Sequence, residues 1–325
     1  MKSYLILLLV ILLAGCDASK KKLTPKIRVV FDTDTNNELD DQHALAYLLF
    51  NQDVFKIEAI TINTTSSGGN IEMQYAEAIR VLQLCNADTL PVLKGADQSF
   101  QQIVSTIDSA VYDGHEAVAR IIEETHKRAT DKLVVLAVGK LTNVAFAVAK
   151  DSTIADRIRL VWLGSNYPEP GEHNQNNDTT AMNYLLNKKI DFEMVTVRYG
   201  KTTGTSVVTI TKREVGEVMP GLGPSISKSV IGRHGGEFYC FGDYAVNLFE
   251  HIDYHGDPPA RSLFDMAAVA IVKNQEWAQV TAHPAPLFVN GEWIERPDNV
   301  RQIKIWENFN RDAIVQDFIE SLKKY

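Results

Sequence analysis

The feature that most constrains the fold is a nearly continuous apolar run over residues 132–138 (KLVVLAV), in which only Lys132 is polar. A strand without polar alternation is typical of a parallel sheet that is covered on both faces. Similar strand patterns at residues 27–31, 55–62, 159–163 and 192–197 alternate with helical patterns. This βαβα order predicts an α/β fold with three layers, in which a mostly parallel central sheet carries helices on both faces.

The helical patterns have apolar residues three and four positions apart. In the first part of the chain they cover residues 40–50, 71–84, 141–149 and 179–187. After an irregular segment from residue 200 to 254, whose end looks helical over 246–251, we expect a helix over 260–272, a strand over 285–289 and a final helix over 313–322. No repeat or linker interrupts the sequence after residue 26, so residues 27–325 are predicted to form one catalytic domain.

The first 15 residues are predicted to be a signal peptide. Lys2 precedes a short apolar run over residues 4–13, which is too short for a comfortable membrane span. Residues 13–16 (Leu-Ala-Gly-Cys) resemble the bacterial lipoprotein signal, in which the cysteine becomes the lipidated mature N-terminus. A plain signal peptide and an uncleaved anchor stay open as alternatives.

Lipidation would take place at Cys16, and the Lys-rich residues that follow would form a tether up to residue 26. Acyl chains hold a protein at a membrane surface without spanning the bilayer. We therefore expect a lipoprotein of the cell envelope, anchored to a bacterial membrane and facing outside the cytoplasm.

The charge balance limits the partners of the chain. Lys and Arg number 33 and Asp and Glu number 41, giving a net charge of -8. An acidic surface repels phosphate backbones, so we expect no nucleic-acid partner. The composition suits a small neutral or cationic ligand, or a metal ion held by carboxylates. The oligomeric state is left open, with a homo-oligomer among the outcomes.

Four carboxylates stand close together after the first predicted strand: Asp32 and Asp34 end the strand, and Asp40 and Asp41 open the next helix. Unless water or a cation screens them, these groups repel one another. Capping of the helix accounts for one or two of them but not for four. The sequence therefore predicts a metal site, and its oxygen ligands suit Ca²⁺ better than Zn²⁺.

Polar residues also follow the other predicted strands, where ligands bind in open α/β sheets. These segments are residues 62–70, 138–143, 164–167 and 172–178. Amide and carboxylate side chains both accept hydrogen bonds, and amides also donate them. The segments therefore favour a polyhydroxylated ligand.

The order of these motifs resembles the inosine–uridine-type nucleoside hydrolases. The matching motifs are Asp-Thr-Asp at 32–34, Asp40-Asp41, Asn70, Gly-x-Leu-Thr-Asn at 139–143, Glu172-x-Asn174 and Asp265 before a late helix. The resemblance implies calcium-dependent hydrolysis of the N-glycosidic bond of ribonucleosides, which gives the free base and ribose.

The resemblance also implies a role for individual residues. Calcium would be held by Asp34, Asp40, Asp41, Asp265 and the carbonyl of Val138. Asp34 would also be the general base that deprotonates the attacking water. The ribose hydroxyls would be bound by Asn70, Asn166, Glu172 and Asn174.

The chain departs from the family pattern in two places. Residues 35–39 form a spacer of five residues where the family has three. The late Asp265 follows Phe264, where the family often has a histidine that protonates the leaving base. The candidates for the leaving-group acid are therefore His255 and Tyr254. The preference between purine and pyrimidine bases is left open.

Three other functions fit part of the same sequence. Asp32 and Asp34 match the DxDxT motif of haloacid-dehalogenase-type phosphatases, with Asp32 as nucleophile, Asp34 as acid/base, Mg²⁺ as cofactor and Lys140 as the required lysine. A solute-binding lipoprotein without catalysis would also have an anchor and an acidic cleft. A hydrolase of another ribose-like glycoside is the nearest alternative.

Overall fold

The computed structural model describes residues 26–325. The predicted signal peptide, Cys16 and all but the last residue of the tether therefore lie outside the described residues. Within the described part of the chain, none of the helices has the length and apolar character needed to cross a membrane.

The strands in chain order are β1 Ile27–Thr33, β2 Phe55–Ile62, β3 Val92–Lys94, β4 Leu133–Ala137, β5 Ile158–Leu163, β6 Asp191–Val195, β7 Thr209–Thr211, β8 Val230–Ile231, β9 Glu237–Phe238, β10 Ala260–Ser262, β11 Gln279–Pro284, β12 Leu287–Val289, β13 Glu292–Ile294 and β14 Gln302–Glu307. The α-helices are α1 Leu39–Leu49, α2 Ile71–Leu84, α3 Phe100–Ile103, α4 His115–His126, α5 Thr142–Lys150, α6 His173–Asn177, α7 Thr179–Leu186, α8 Lys212–Val218, α9 Phe241–Glu250, α10 Met266–Lys273 and α11 Arg311–Leu322.

Eight of these strands form one central sheet in the order β11-β14-β6-β5-β4-β1-β2-β3. All neighbouring pairs are parallel except β11 and β14. The predicted α/β fold with a mostly parallel sheet is confirmed.

Both faces of the sheet are covered, as the apolar strands predict. In β1, Val29 and Phe31 belong to the hydrophobic core on one face, and Val30 belongs to the core on the other. In β4, Leu136 and Val135 divide between the two cores in the same way. This two-sided burial is the reason that the strands lack polar alternation.

Three C-terminal elements differ from the sequence prediction. Residues 260–262 are a strand and not the start of a helix, because they pair antiparallel with β7; the helix begins at Met266. The strand expected over residues 285–289 is confined to residues 287–289. Helix α9 begins at Phe241, five residues before the helical pattern at 246–251.

The topology places the polar segments of the sequence side by side. β1, β2, β4, β5 and β6 run parallel in the centre of the sheet, so their carboxyl ends share one edge. Helix α1 follows the end of β1, and all of its residues are buried, including Asp40 and Asp41. It packs against α10, at whose N-terminal end Asp265 lies. Carboxylates from distant parts of the chain thus meet at this edge.

Candidate active site

A cavity of about 580 Å³ opens at the carboxyl edge of the sheet. Six of the predicted metal- and ribose-binding residues are in its lining: Asp40, Asp41, Val138, Glu172, Asn174 and Asp265. These residues come from four separate stretches of the chain, and the fold brings them together around one cavity.

Asp40, Asp41 and Asp265 form a compact acidic cluster. One carboxylate oxygen from each lies within 4.8 Å of the others, and all three residues are buried. Burial raises the pKa of Asp40 to about 7, and burial together with repulsion from neighbouring carboxylates raises the pKa of Asp41 and Asp265 well above 3.8. Because these groups resist ionisation without a counter-charge, the cluster favours a bound cation.

Asp34 lies just beyond β1, beside this cluster. One of its carboxylate oxygens, Oδ2, accepts a hydrogen bond from the Thr65 hydroxyl. The other, Oδ1, is buried and has no hydrogen-bond partner among residues 26–325. Burial raises the pKa of Asp34 to about 7. A buried acceptor without a donor is unfavourable unless a ligand satisfies it.

The donor set fits a hard divalent cation. It consists of carboxylate oxygens and the Val138 carbonyl, which lines the cavity and also accepts a hydrogen bond from Asn174 Nδ2 at 2.8 Å. Oxygen ligands of this kind hold Ca²⁺ or Mg²⁺, whereas sulfur and imidazole ligands favour softer metals. Oδ1 of Asp34, which has no hydrogen-bond partner in the described chain, is one further oxygen that could bind the cation.

Asp32 has a structural role. It accepts hydrogen bonds from the side chains of Thr61 at 2.6 Å, Asn63 at 2.7 Å and Asn143 at 2.8 Å. These donors come from the ends of β2 and from α5, so Asp32 joins the elements that surround the site. Burial raises its pKa to about 6. With its oxygens engaged in this way, Asp32 is not placed to act as the nucleophile of a phosphatase.

Glu172 and Asn174 are held rigidly at the cavity wall. Glu172 caps α6 and accepts hydrogen bonds from the backbone N–H groups of Ser165, Asn174 and Gln175 at 2.8–3.0 Å. Asn174 donates through Nδ2 to two backbone carbonyls, and its Oδ1 is buried without a partner in the described chain. This oxygen is available to accept a hydrogen bond from a ligand hydroxyl.

Four predicted site residues lie outside the cavity lining, namely Asp34, which is buried beside the acidic cluster, and three residues with other contacts. Asn70 is exposed and caps α2, where its side chain accepts a hydrogen bond from the N–H of Met73. Asn166 uses its side chain within a turn and toward Tyr199 N–H, next to a second, smaller pocket. Tyr254 packs against Phe249. The roles predicted for Asn70 and Asn166 toward the ribose and for Tyr254 toward the leaving base stay predictions.

Other lining residues were missed by sequence analysis. Glu38 lines the cavity and belongs to the five-residue spacer. The unusual length of that spacer could have indicated that its residues reach the site. His173 is the middle residue of the Glu-x-Asn motif, and its Nε2 is buried without a partner in the described chain. Tyr199 and Arg261 come from irregular segments and gave no signal. The predicted His255 does line the cavity, with its Nε2 3.4 Å from Arg261 Nη1.

The chain was compared with known proteins. The family model described as inosine-uridine preferring nucleoside hydrolase matches residues 29–314. No curated protein matches the chain by sequence.

Solved structures share the fold at low sequence identity. A plant nucleoside hydrolase is 17% identical with a TM-score of 0.70, and the alignment covers 92% of this chain and 99% of that one. An inosine-uridine preferring nucleoside hydrolase from Bacillus anthracis is 16% identical with a TM-score of 0.67, covering 92% and 100%. A purine-preferring ribonucleoside hydrolase from Gardnerella vaginalis is 17% identical with a TM-score of 0.67, covering 91% and 98%.

Proposed function

The chain belongs to the inosine-uridine preferring nucleoside hydrolase family and hydrolyses the N-glycosidic bond of ribonucleosides, and we propose that it does so with a calcium ion at the acidic cluster. The family is metal-dependent, and the cluster can bind a metal. The observation that carries the proposal is the close approach of three buried carboxylates whose pKa values are all raised. The phosphatase and binding-protein hypotheses do not agree with the family.

The residues that would hold calcium are Asp34, Asp40, Asp41, Asp265 and the Val138 carbonyl. Bound there, the ion would supply positive charge that favours ionisation of a water molecule, and it would orient neighbouring hydroxyls of the sugar. Ca²⁺ is our choice over Mg²⁺ because several carboxylates and a carbonyl are offered together, whereas Mg²⁺ usually keeps most of its water.

Asp34 is suited to be the general base. Its Oδ1 is buried and has no hydrogen-bond partner in the described chain, so this oxygen can take the proton of a water molecule bound beside it. The bond between sugar and base breaks with positive charge developing on the sugar ring, and buried carboxylates stabilise that charge. We assign Glu172 and Asn174 to the ribose hydroxyls because each is fixed at the cavity wall by backbone hydrogen bonds.

The substrate class is tested by ribose release. The purified protein is incubated in calcium with inosine, guanosine, adenosine, uridine and cytidine, and free ribose and free base are measured. Release of both products in equal amounts is expected from at least one nucleoside. If a calcium-loaded, folded protein released ribose from none of these but cleaved another riboside, the glycoside alternative would replace this proposal.

Gly139→Ala is expected to lower kcat by about 100-fold, because small displacements of catalytic groups have effects of this size. A Cβ atom at Gly139 would lie 2.6 Å from Asn63 Oδ1 and 2.7 Å from Asp34 Oδ1. Both distances are too short for a Cβ contact, so the side chains of Asn63 and Asp34 must both shift. Gly216→Ala is the control, since a Cβ there meets nothing within 4 Å. Unchanged kcat in Gly139→Ala would contradict the placement of Asp34.

For the location of the protein, we propose that residues 1–15 are removed and that Cys16 is lipidated. The support is the Leu-Ala-Gly-Cys motif after an apolar segment, followed by a Lys-rich tether that precedes the domain. Cys16→Ser should then release the protein from the membrane fraction. Retention of that variant in the membrane would leave an uncleaved anchor as the explanation.

A further inference from the structure

Arg261 is the cationic side chain in the lining of the cavity, and one of its donors is unused. Its side chain is 12% exposed and pairs with Glu38 through Nη2, while Nη1 lies 3.4 Å from His255 Nε2. The third nitrogen, Nε, is buried and has no acceptor within residues 26–325. Because a guanidinium stays charged at any relevant pH, this N–H remains a donor.

A buried donor without an acceptor is costly, and in a cavity wall it indicates a partner that the protein itself does not supply. That partner must carry a hydrogen-bond acceptor. The partner would also lie beside the positive charge of Arg261, which the ion pair with Glu38 holds in place. A group on which negative charge develops is therefore favoured there.

The neighbours of Arg261 indicate which part of the substrate lies beside it. Under the proposed function, the acidic cluster and Glu172 engage the ribose. The remaining wall includes Phe264 and Tyr199, whose rings pack edge to face with centroids 5.7 Å apart. Aromatic side chains with one fixed donor suit a flat heterocycle that has nitrogen or oxygen acceptors.

We propose that Arg261 is the residue that stabilises the leaving base. Its Nε–H donates to an acceptor of the base, and its charge stabilises the negative charge that forms there. When the glycosidic bond breaks, its electron pair passes to the base nitrogen, and water supplies both the oxygen that bonds to the sugar carbon and a proton that Asp34 takes. The base anion then takes up a proton from solvent. The assignment rests on the proposed function.

This role fits the two departures of the chain from the family pattern. Phe264, beside Asp265, has no proton to give to the base. Glu38 lies in the five-residue spacer, and its carboxylate holds the guanidinium at the cavity wall. The guanidinium acts by charge and hydrogen bonding, without giving up a proton, so no acid at position 264 is required.

The test compares two leaving groups. The full chain, purified in detergent with calcium, is assayed on inosine and uridine and on 4-nitrophenyl β-D-riboside, whose nitrophenolate is a stable anion that needs no stabilisation. Arg261→Met should lower kcat/KM for the nucleosides by about 100-fold or more, the usual effect of removing a donor to a developing anion. The loss on the nitrophenyl riboside should be much smaller. Arg261→Lys, which keeps the charge but not the Nε–H, should be intermediate.

Arg28→Met is the matched control, since Arg28 lies in β1, its side chain is 15% exposed, and neither it nor its ion-pair partner Glu58 lines the cavity. It should not change the ratio between the two substrates, and thermal melting checks that each variant folds. Equal losses on both substrates in Arg261→Met, or no loss on either, would overturn this assignment alone. A wild-type protein inactive on both substrate classes would overturn the proposed function and this inference with it.

Discussion

Asp34→Asn is expected to abolish ribose release while the protein keeps its fold. The change is isosteric and removes only the ability to take a proton and one negative charge. Loss of a general base costs about 100- to 10,000-fold in rate, and the lost charge should also weaken calcium binding. Asn Oδ1 can still accept the hydrogen bond that Thr65 donates to this side chain, so packing should be preserved.

The measurement is kcat at saturating nucleoside and calcium, with a melting curve for each protein. Asp53→Asn is the control, because this carboxylate is 66% exposed and lies outside the cavity lining. It should behave as the wild type. An Asp34→Asn protein with wild-type kcat would show that another group takes the proton.

Calcium is expected to stabilise the protein more at pH 7.5 than at pH 5. In the metal-free protein, burial raises the pKa of both Asp34 and Asp40 to about 7 from an ordinary value of 3.8. The folded state therefore holds more protons than the unfolded state, and its stability falls as the pH rises from about 4 to about 7.

Bound calcium would neutralise the carboxylates in place of those protons. The stabilisation of the folded protein by calcium should therefore increase as the pH rises over the same range. Melting temperatures with a chelator and with excess calcium, at both pH values, measure this. Asp265→Asn should lose most of the calcium effect at pH 7.5, whereas Asp53→Asn should retain it. A calcium shift in Tm that is equal at the two pH values, or absent from both, would contradict a site built from these carboxylates.

The central sheet could be predicted because its strands are buried on both faces. The run at residues 132–138 has no polar alternation, and β4 occupies residues 133–137 in the middle of the sheet. The elements that were predicted wrongly are those whose structure depends on pairing with residues far away in the sequence. Residues 260–262 have a helical pattern, but they pair with β7 about 50 residues earlier in the chain.

The acidic part of the site could also be predicted, because parallel strands end at one edge and four Asp residues cluster there. What the sequence could not resolve was the role of each residue. Asp32 and Asp34 look alike in a DxD motif, yet three side chains enclose Asp32, and Asp34 keeps one free oxygen within the described chain. Asn70 matched a family motif, but in this loop it caps a helix.

The opposite wall of the cavity was beyond sequence reasoning. Arg261 and Glu38 are separated by 223 residues, and only the folded chain shows that they form an ion pair. No local pattern of spacing or hydropathy marks such a contact. In our proposal Arg261 contacts the base, and the base preference was therefore the property that the sequence predicted least.

Removal and restoration of the metal tests the central claim most directly. The protein is stripped with a chelator, dialysed, and assayed for ribose release from its preferred nucleoside before and after addition of calcium or magnesium. We predict loss of activity on stripping, full recovery with about one calcium ion bound per chain, and weaker recovery with magnesium. Full activity in protein shown to be free of metal would contradict the account.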